Sequence, residues 1–355
     1  MPPVTPLPPD DLQLILKQTA SLWEEVRGRR IFITGGTGFF GCWFVESFCY
    51  INRVLDLNAS ITVLTRNPIA FQAKCPHLTS DRSLTLHEGD VRSFIFPEGQ
   101  FHCVVHAASE TNAQKAADQP AEIFSTIVAG TERVLRFACA CRSSKLLFIS
   151  SGAVYGKQPP EMTHLPETWN GAPDPVSPSS AYAEGKRSAE LLCSLYGNHY
   201  SPECKIARCW AFCGPHLPLD RHFAIGNFIA DALAARPIQI YGDGTSRRSY
   251  LYSGDLMIWL WTILFRAPAL LPINVGSAHD ISILELAQKV AATLSPKTEI
   301  RIAREPVAGM AISRYVPNVD RARDLLELRE RVGLEESIRK TAEWYAATNS
   351  YKTPL

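Results

Sequence analysis

Hydrophobic spacing along the chain switches between two periods. After a proline-rich start, Leu12, Ile15, Leu16, Thr19, Trp23 and Val26 recur at helical spacing, so residues 10–26 read as one amphipathic helix packed on the main domain. From Arg30 onward, short β-rich runs alternate with longer helical patterns. IFIT, ITVLT, SLTLHEGD, HCVVHAA and KLLFISS are strand candidates, with helices between several of them. This alternation predicts an α/β fold with a doubly wound parallel sheet covered by helices on both faces.

Beyond residue 156 the pattern loosens. The stretch GKQPPEMTHLPETWNGAPDPVSPSS is rich in Pro, Ser and Gly and reads as a long loop, a kind of segment that is often functional in compact enzymes. A helix over residues 180–196 and a strand at CKIARCW follow. Helices at ILELAQKVAATL and GLEESIRKTAEWYA then mix with short strands such as PIQIY. The organisation expected is an N-terminal extension over 1–29, a dinucleotide-binding domain carrying catalytic residues over 30–200, and a smaller α/β substrate-binding lobe over 201–355. Some of that last part returns to the main sheet.

Charge and composition narrow the partners. The 355 residues carry 36 basic and 35 acidic side chains, a net charge of +1, without long runs of one sign. Nothing here favours nucleic acid or an anionic membrane surface, and a small molecule is the expected ligand. Ten cysteines are scattered without zinc spacing, so no metal is expected. Such cysteines, with no secretory signal or apolar span of membrane length, suit a reducing cytoplasm.

IFITGGTGFFG places Gly35, Gly38 and Gly41 directly after the first strand. Glycines there permit a tight turn and close backbone approach to a pyrophosphate, while the following helix offers its N-terminal amides. The second strand ends in VLTRNP. An acidic residue at this place would suit the ribose 2′-hydroxyl of NAD; Arg66 suits a 2′-phosphate, so NADP is expected, with NAD as the alternative.

AYAEGKRSAE sets Tyr182 and Lys186 four residues apart, on one face of a helix. The lysine charge is expected to lower the tyrosine pKa toward the working pH, fitting Tyr182 for acid–base work on a substrate hydroxyl or carbonyl. Ser151, at a strand's carboxyl end, can hydrogen-bond the same oxygen.

With the glycine turn, the serine after the fifth strand and the tyrosine–lysine pair in that order, residues 30–345 resemble the extended short-chain dehydrogenase/reductases. The nucleotide-sugar epimerase and dehydratase group is the nearest. The resemblance implies a Rossmann-type fold and a homodimer formed through a helix bundle that includes the helix of Tyr182. It implies cofactor contacts by Gly35, Thr37, Gly38, Phe39, Phe40, Gly41, Arg66, Asp90, Val91, Ala107, Ala108, Tyr182 and Lys186. It further implies catalysis by Ser151, Tyr182 and Lys186, and binding of a nucleotide-diphosphate sugar by Ser151, Asn227 and Arg248, the arginine gripping the diphosphate.

Departures from the family pattern discriminate among its reactions. Dehydrating members place Asp and Glu after the catalytic hydroxyl, and decarboxylating ones often keep a Glu; here Gly152 and Ala153 stand there and cannot move a proton. Ile127 and Ala211 replace asparagines common in relatives. Epimerisation at sugar C4 is the expected activity, and reduction of a 4-keto sugar by NADPH the alternative. Dehydration would need a carboxylate from the long loop, Glu161 or Glu167, both expected to be solvated. A carbonyl reductase outside sugar chemistry and a non-catalytic NADP sensor are the remaining readings.

Overall fold

The computed structural model describes residues 3–109, 117–220, 223–307 and 309–348. The first six strands are β1 (Arg30–Thr34), β2 (Ser60–Thr65), β3 (Leu84–Glu88), β4 (Cys103–His106), β5 (Lys145–Ser151) and β6 (Glu203–Cys209). Shorter strands follow: β7 (Phe212–Cys213), β8 (Ile238–Ile240), β9 (Arg247–Ser249), β10 (Leu251–Tyr252), β11 (Pro272–Val275), β12 (Asp280–Ser282), β13 (Ile300–Ile302) and β14 (Arg314–Tyr315).

Seven strands form one sheet in the order β11-β6-β5-β4-β1-β2-β3, with every neighbouring pair parallel. Central strands are buried on both faces, which explains why they read as continuous apolar runs rather than alternating ones. One face carries helices Phe39–Val54 and Ser253–Arg266, and the other Pro120–Ala140 and Ala181–His199. Winding reverses between β1 and β4, so their carboxyl ends open on the crevice where doubly wound sheets bind ligands. The smaller sheets are β12-β9-β14, β13-β8 and β10-β7.

The single helix expected over residues 10–26 divides. An α-helix runs Pro9–Thr19, and Ala20–Val26 is 3₁₀. The Thr19 hydroxyl donates to the Ile15 carbonyl at 2.6 Å and accepts from Trp23 Nε1 at 2.9 Å, so side chains take over the ladder at the break. Asp11 anchors this segment from within: its carboxylate accepts from Tyr252 Oη and Lys340 Nζ, each at 2.6 Å. Among the described residues, no helix is long and apolar enough to cross a membrane.

The long loop has a definite seat. Leu165 N donates to the Val316 carbonyl and Asn318 N to the Leu165 carbonyl, both at 2.9 Å, while the Gln158 amide oxygen accepts from Val316 N at 3.0 Å. The loop thereby fastens the segment that follows β14 against the carboxyl end of the main sheet.

Candidate active site

The glycine turn after β1 is a close-fitting cradle. Gly35 has φ +72°, and a Cβ there would lie 2.6 Å from the backbone of Ala107 and Ala108; one on Gly41 would lie 2.2 Å from the Gly35 carbonyl oxygen. These two positions therefore require glycine, whereas Gly38 has ordinary clearance. Helix Phe39–Val54 starts immediately after Gly38 with no side-chain cap and no acidic residue in its first turn. The leading amides around Phe39, Phe40 and Gly41 are thus left to an anion, and the turn fits a dinucleotide pyrophosphate. Lys74 Nζ donates to the Thr37 carbonyl at 3.3 Å and brings a positive charge to the turn.

Beneath it, Thr34 Oγ1 and His106 Nδ1 lie 2.7 Å apart, and His106 Nε2 lies 3.0 Å from Thr131 Oγ1. Burial drives the His106 pKa down to about 3, so the ring stays neutral and serves as a brace between β1 and β4. Arg66 is exposed at the carboxyl end of β2, close enough for its charge to lower the Asp90 pKa, although hydrogen bonding from Arg92 is the larger cause. Val91 packs against Gly130, where a Cβ would meet its Cγ1 at 2.9 Å.

Ser151 ends β5 and caps the 3₁₀ turn Gly152–Tyr155 by accepting from Ala153 N at 3.1 Å. The same hydroxyl lies close enough to the Tyr182 phenol to lower its pKa. Lys186, 2 % exposed, donates to the Ile149 carbonyl at 2.7 Å, and its Nζ stands 5.8 Å from the Tyr182 ring centroid. The structure thus brings Ser151, Tyr182 and Lys186 together.

Their electrostatics differ from expectation. Burial raises the Tyr182 pKa above its ordinary value, opposed by hydrogen bonding from Ser151 and Ser109; Lys186 is not among the causes. Burial also pulls the Lys186 ammonium down to about 8. Desolvation outweighs the helix-face attraction that spacing alone suggested.

A second wall comes from distant segments. A Cβ on Gly152 would lie 2.7 Å from the Trp210 ring and 2.8 Å from Tyr315 Oη. Trp210 directly follows β6, Tyr315 ends β14, and their ring centroids lie 4.4 Å apart. Arg248, in the middle of β9, acts electrostatically on Tyr315, and its Nη1 donates to the Arg247 carbonyl at 2.8 Å. Asn227 is half-buried near the start of helix Ala224–Leu233. Ser109 Oγ is buried beside the Tyr182 phenol.

Nearby carboxylates are engaged elsewhere. Glu190 accepts from Ser150 Oγ at 2.5 Å and from Arg208 Nη2 at 2.7 Å. Glu161 is exposed, as expected, but Glu167 is not: its side chain is only 3 % exposed and accepts from Asn274 N at 2.9 Å. It holds the backbone of β11, and the long loop buries it there. No cluster of three metal-ligating side chains occurs among the described residues.

Sequence reasoning passed over Trp210, Tyr315, Ser109 and the Glu190–Arg208 pair. Trp210 could have been found, because it sits just past a strand's carboxyl end, where ligands bind. No local pattern marked Tyr315.

Comparison with known proteins agrees with this architecture. UDP-glucuronic acid decarboxylase 1 of Danio rerio is 27 % identical over 323 residues, covering 91 % of this chain and 74 % of that one. An epimerase of Methanothermobacter thermautotrophicus superposes with a TM-score of 0.76 at 21 % identity, covering 96 % of this chain and 97 % of that one. The UDP-glucose 4-epimerase of Thermotoga maritima, solved with UDP-glucose, gives a TM-score of 0.74 at 20 % identity, covering 90 % and 99 %. The model of the NAD dependent epimerase/dehydratase family matches residues 31–276, and the chain belongs to that family.

Proposed function

We propose that the protein is an NAD(P)-dependent nucleotide-sugar enzyme acting at sugar C4 as a 4-epimerase. The observation that carries this reading is the convergence of Ser151, Tyr182 and Lys186 at the sheet's carboxyl edge, beside a position 152 that has no room for a side chain. A bound nicotinamide dinucleotide supplies reversible hydride acceptance from the sugar carbon. Tyr182 takes the proton of the C4 hydroxyl and returns it, while Ser151 hydrogen-bonds the same oxygen. Lys186, whose Nζ stands 5.8 Å from the Tyr182 ring centroid, places its ammonium beside that exchange. Gly35, Thr37, Gly38, Phe39, Phe40 and Gly41 hold the pyrophosphate, Asp90, Val91, Ala107 and Ala108 border the rest of the dinucleotide, Arg248 grips the nucleotide-sugar diphosphate, and Asn227 contacts the substrate.

Loss of water from the keto sugar calls for a base to take a carbon-bound proton and an acid to protonate the leaving hydroxyl, beside Ser151. Gly152 and Ala153 supply neither, and Glu167 and Glu190 are committed to Asn274 and Arg208. From the decarboxylase relatives this reading takes only the oxidation at C4 that precedes loss of carbon dioxide. Arg66 favours NADP and supports the second reading, a 4-keto-sugar reductase. Arg66→Ala should weaken NADP(H) binding about tenfold more than NAD(H) binding; equal losses would remove the NADP assignment.

Exposed Phe124, Leu191 and Leu195 lie on the packed helices Pro120–Ala140 and Ala181–His199 and support a homodimer through that face. The deciding experiment incubates the protein with NAD, NADP or NADPH and a panel of nucleotide sugars and 4-keto sugars, reading product mass and proton spectra. Unchanged mass with inverted C4 supports the epimerase. Two added hydrogens mean a reductase, and loss of water or carbon dioxide overturns both.

A further inference from the structure

Beneath the glycine turn lies a cluster that the hydride chemistry does not use. Cys42 sits in the first turn of helix Phe39–Val54, where its N donates to the Gly38 carbonyl at 2.9 Å and its Sγ to the Thr37 carbonyl at 3.7 Å. Lys74 Nζ reaches the same Thr37 carbonyl at 3.3 Å and stands 4.0 Å from the Cys42 sulfur. Cys75 follows Lys74 in the chain and precedes the short helix Pro76–Thr79, which packs on the dinucleotide helix. A third segment brings His216, held in place by Trp43 Nε1 donating to the Pro215 carbonyl at 2.8 Å. Each thiol is the strongest influence on the other's ionisation. Cys75, His216 and Lys74 hold the Cys42 thiol well below its ordinary pKa, while Cys42 and burial push Cys75 up. The pair therefore carries its negative charge on Cys42, beside the Lys74 ammonium. A helix amino end with positive neighbours is the setting that makes a cysteine reactive.

We infer that Cys42 and Cys75 are a redox-active dithiol, a reversible oxidation site whose state sets the affinity of the glycine turn for its dinucleotide. The inference rests on the turn as a dinucleotide site and not on which sugar reaction follows. Both thiols are fully buried, so the oxidant is a small hydroperoxide that enters as local packing opens. The Cys42 sulfur attacks the outer peroxide oxygen: the S–O bond forms, the O–O bond breaks, and the leaving oxygen takes up the proton that the Cys42 thiol gave up. The Cys75 sulfur then displaces hydroxide from the resulting sulfenic acid, and its own proton leaves with that hydroxide as water. Two thiols and one hydrogen peroxide thus give one disulfide and two waters, a two-electron oxidation of sulfur. Cys42 is then neutral. Lys74, no longer opposed by it, has its charge free for the pyrophosphate, so oxidation tightens dinucleotide binding. By linkage, a bound dinucleotide favours the disulfide by the same factor. Cys193 and Cys204 form a second close pair, but Cys204 and burial push the Cys193 thiol up, which leaves it the less reactive.

The test uses the full chain carrying Cys139→Ser, which removes the one partly exposed cysteine among the described residues. It is treated with hydrogen peroxide or with dithiothreitol, its disulfides are mapped by peptide mass, and NAD and NADP are titrated by calorimetry into each form. A Cys42–Cys75 disulfide should form and revert with dithiothreitol, and the oxidised form should bind the preferred dinucleotide about fivefold more tightly. Saturating dinucleotide should lower the reduction potential of the pair by about 20 mV, the same factor for two electrons. Cys42→Ser should show the tighter affinity with or without peroxide, since its hydroxyl carries no charge. Cys75→Ser should stop at a Cys42 sulfenic acid that dimedone traps. No Cys42–Cys75 disulfide, or only one between Cys193 and Cys204, would overturn the inference while leaving the dinucleotide site intact. A disulfide that leaves affinity unchanged or weakens it would overturn the link through Lys74 and the inference with it. A chain that binds neither dinucleotide in either form would overturn the assignment of the turn as well.

Discussion

The two sides of the reacting oxygen are built differently. One side is chain-local: Ser151 ends β5, and Tyr182 and Lys186 lie on the helix that next packs beside it. The other side joins Gly152 to Trp210 after β6 and Tyr315 at β14, which are far apart in the chain. The local side carries proton chemistry that a family can share. The assembled side closes the space beside Gly152 with side chains that only the folded chain brings together.

The largest test of the local side is Tyr182→Phe. Turnover should fall about a thousandfold, the range for losing a general acid–base, with dinucleotide affinity nearly unchanged. Undiminished turnover would shift the proton chemistry to the assembled side, with Tyr315 as its nearest phenol.

Gly35→Ala tests the floor beneath both sides. The added methyl meets the Ala107 and Ala108 backbone at 2.6 Å in a left-handed conformation, so stability should drop by about 2 kcal/mol or more. Denaturant unfolding and dinucleotide titration should register the damage together. A stable variant with normal cofactor affinity would show that the cradle is looser than its geometry.

A smaller effect comes from His106. Its folded pKa of about 3 lies below the ordinary value, so the unfolded chain binds a proton first as the pH falls. Stability from this residue is therefore present above pH 6.5 and is lost progressively toward pH 3, by under about 1 kcal/mol at pH 6. His106→Asn should flatten that acid limb in pH-dependent unfolding; an unchanged slope would assign the limb to other groups.

The smallest change is expected from Glu167→Gln, which keeps an oxygen to accept from Asn274 N. Product identity and turnover should stay within about twofold, as for an exchange of one buried acceptor for another. A collapse of turnover would make Glu167 a working acid and reopen elimination chemistry.

Legibility in the sequence follows the same division. The parallel sheet, the glycine turn and the tyrosine–lysine pair were readable because each depends on neighbours within a few turns or on one strand-to-helix junction. Less readable were the helix break at Thr19, where a hydroxyl competes for the ladder, and the fate of Glu167, buried by a loop with no periodicity. The raised Tyr182 pKa also escaped, because desolvation is a property of the packed site.

By itself, the sequence determined that Gly35 and Gly41 make a tight turn after β1, that Ser151, Tyr182 and Lys186 are available in family order, and that positions 152 and 153 hold no acid. It did so because backbone freedom, residue chemistry and short-range spacing are local. Only the tertiary structure decided what occupies the space Gly152 leaves. Tyr315 reaches it through the pairing of β14 with β9 and the grip of the long loop on Val316, contacts whose partners no local pattern specifies.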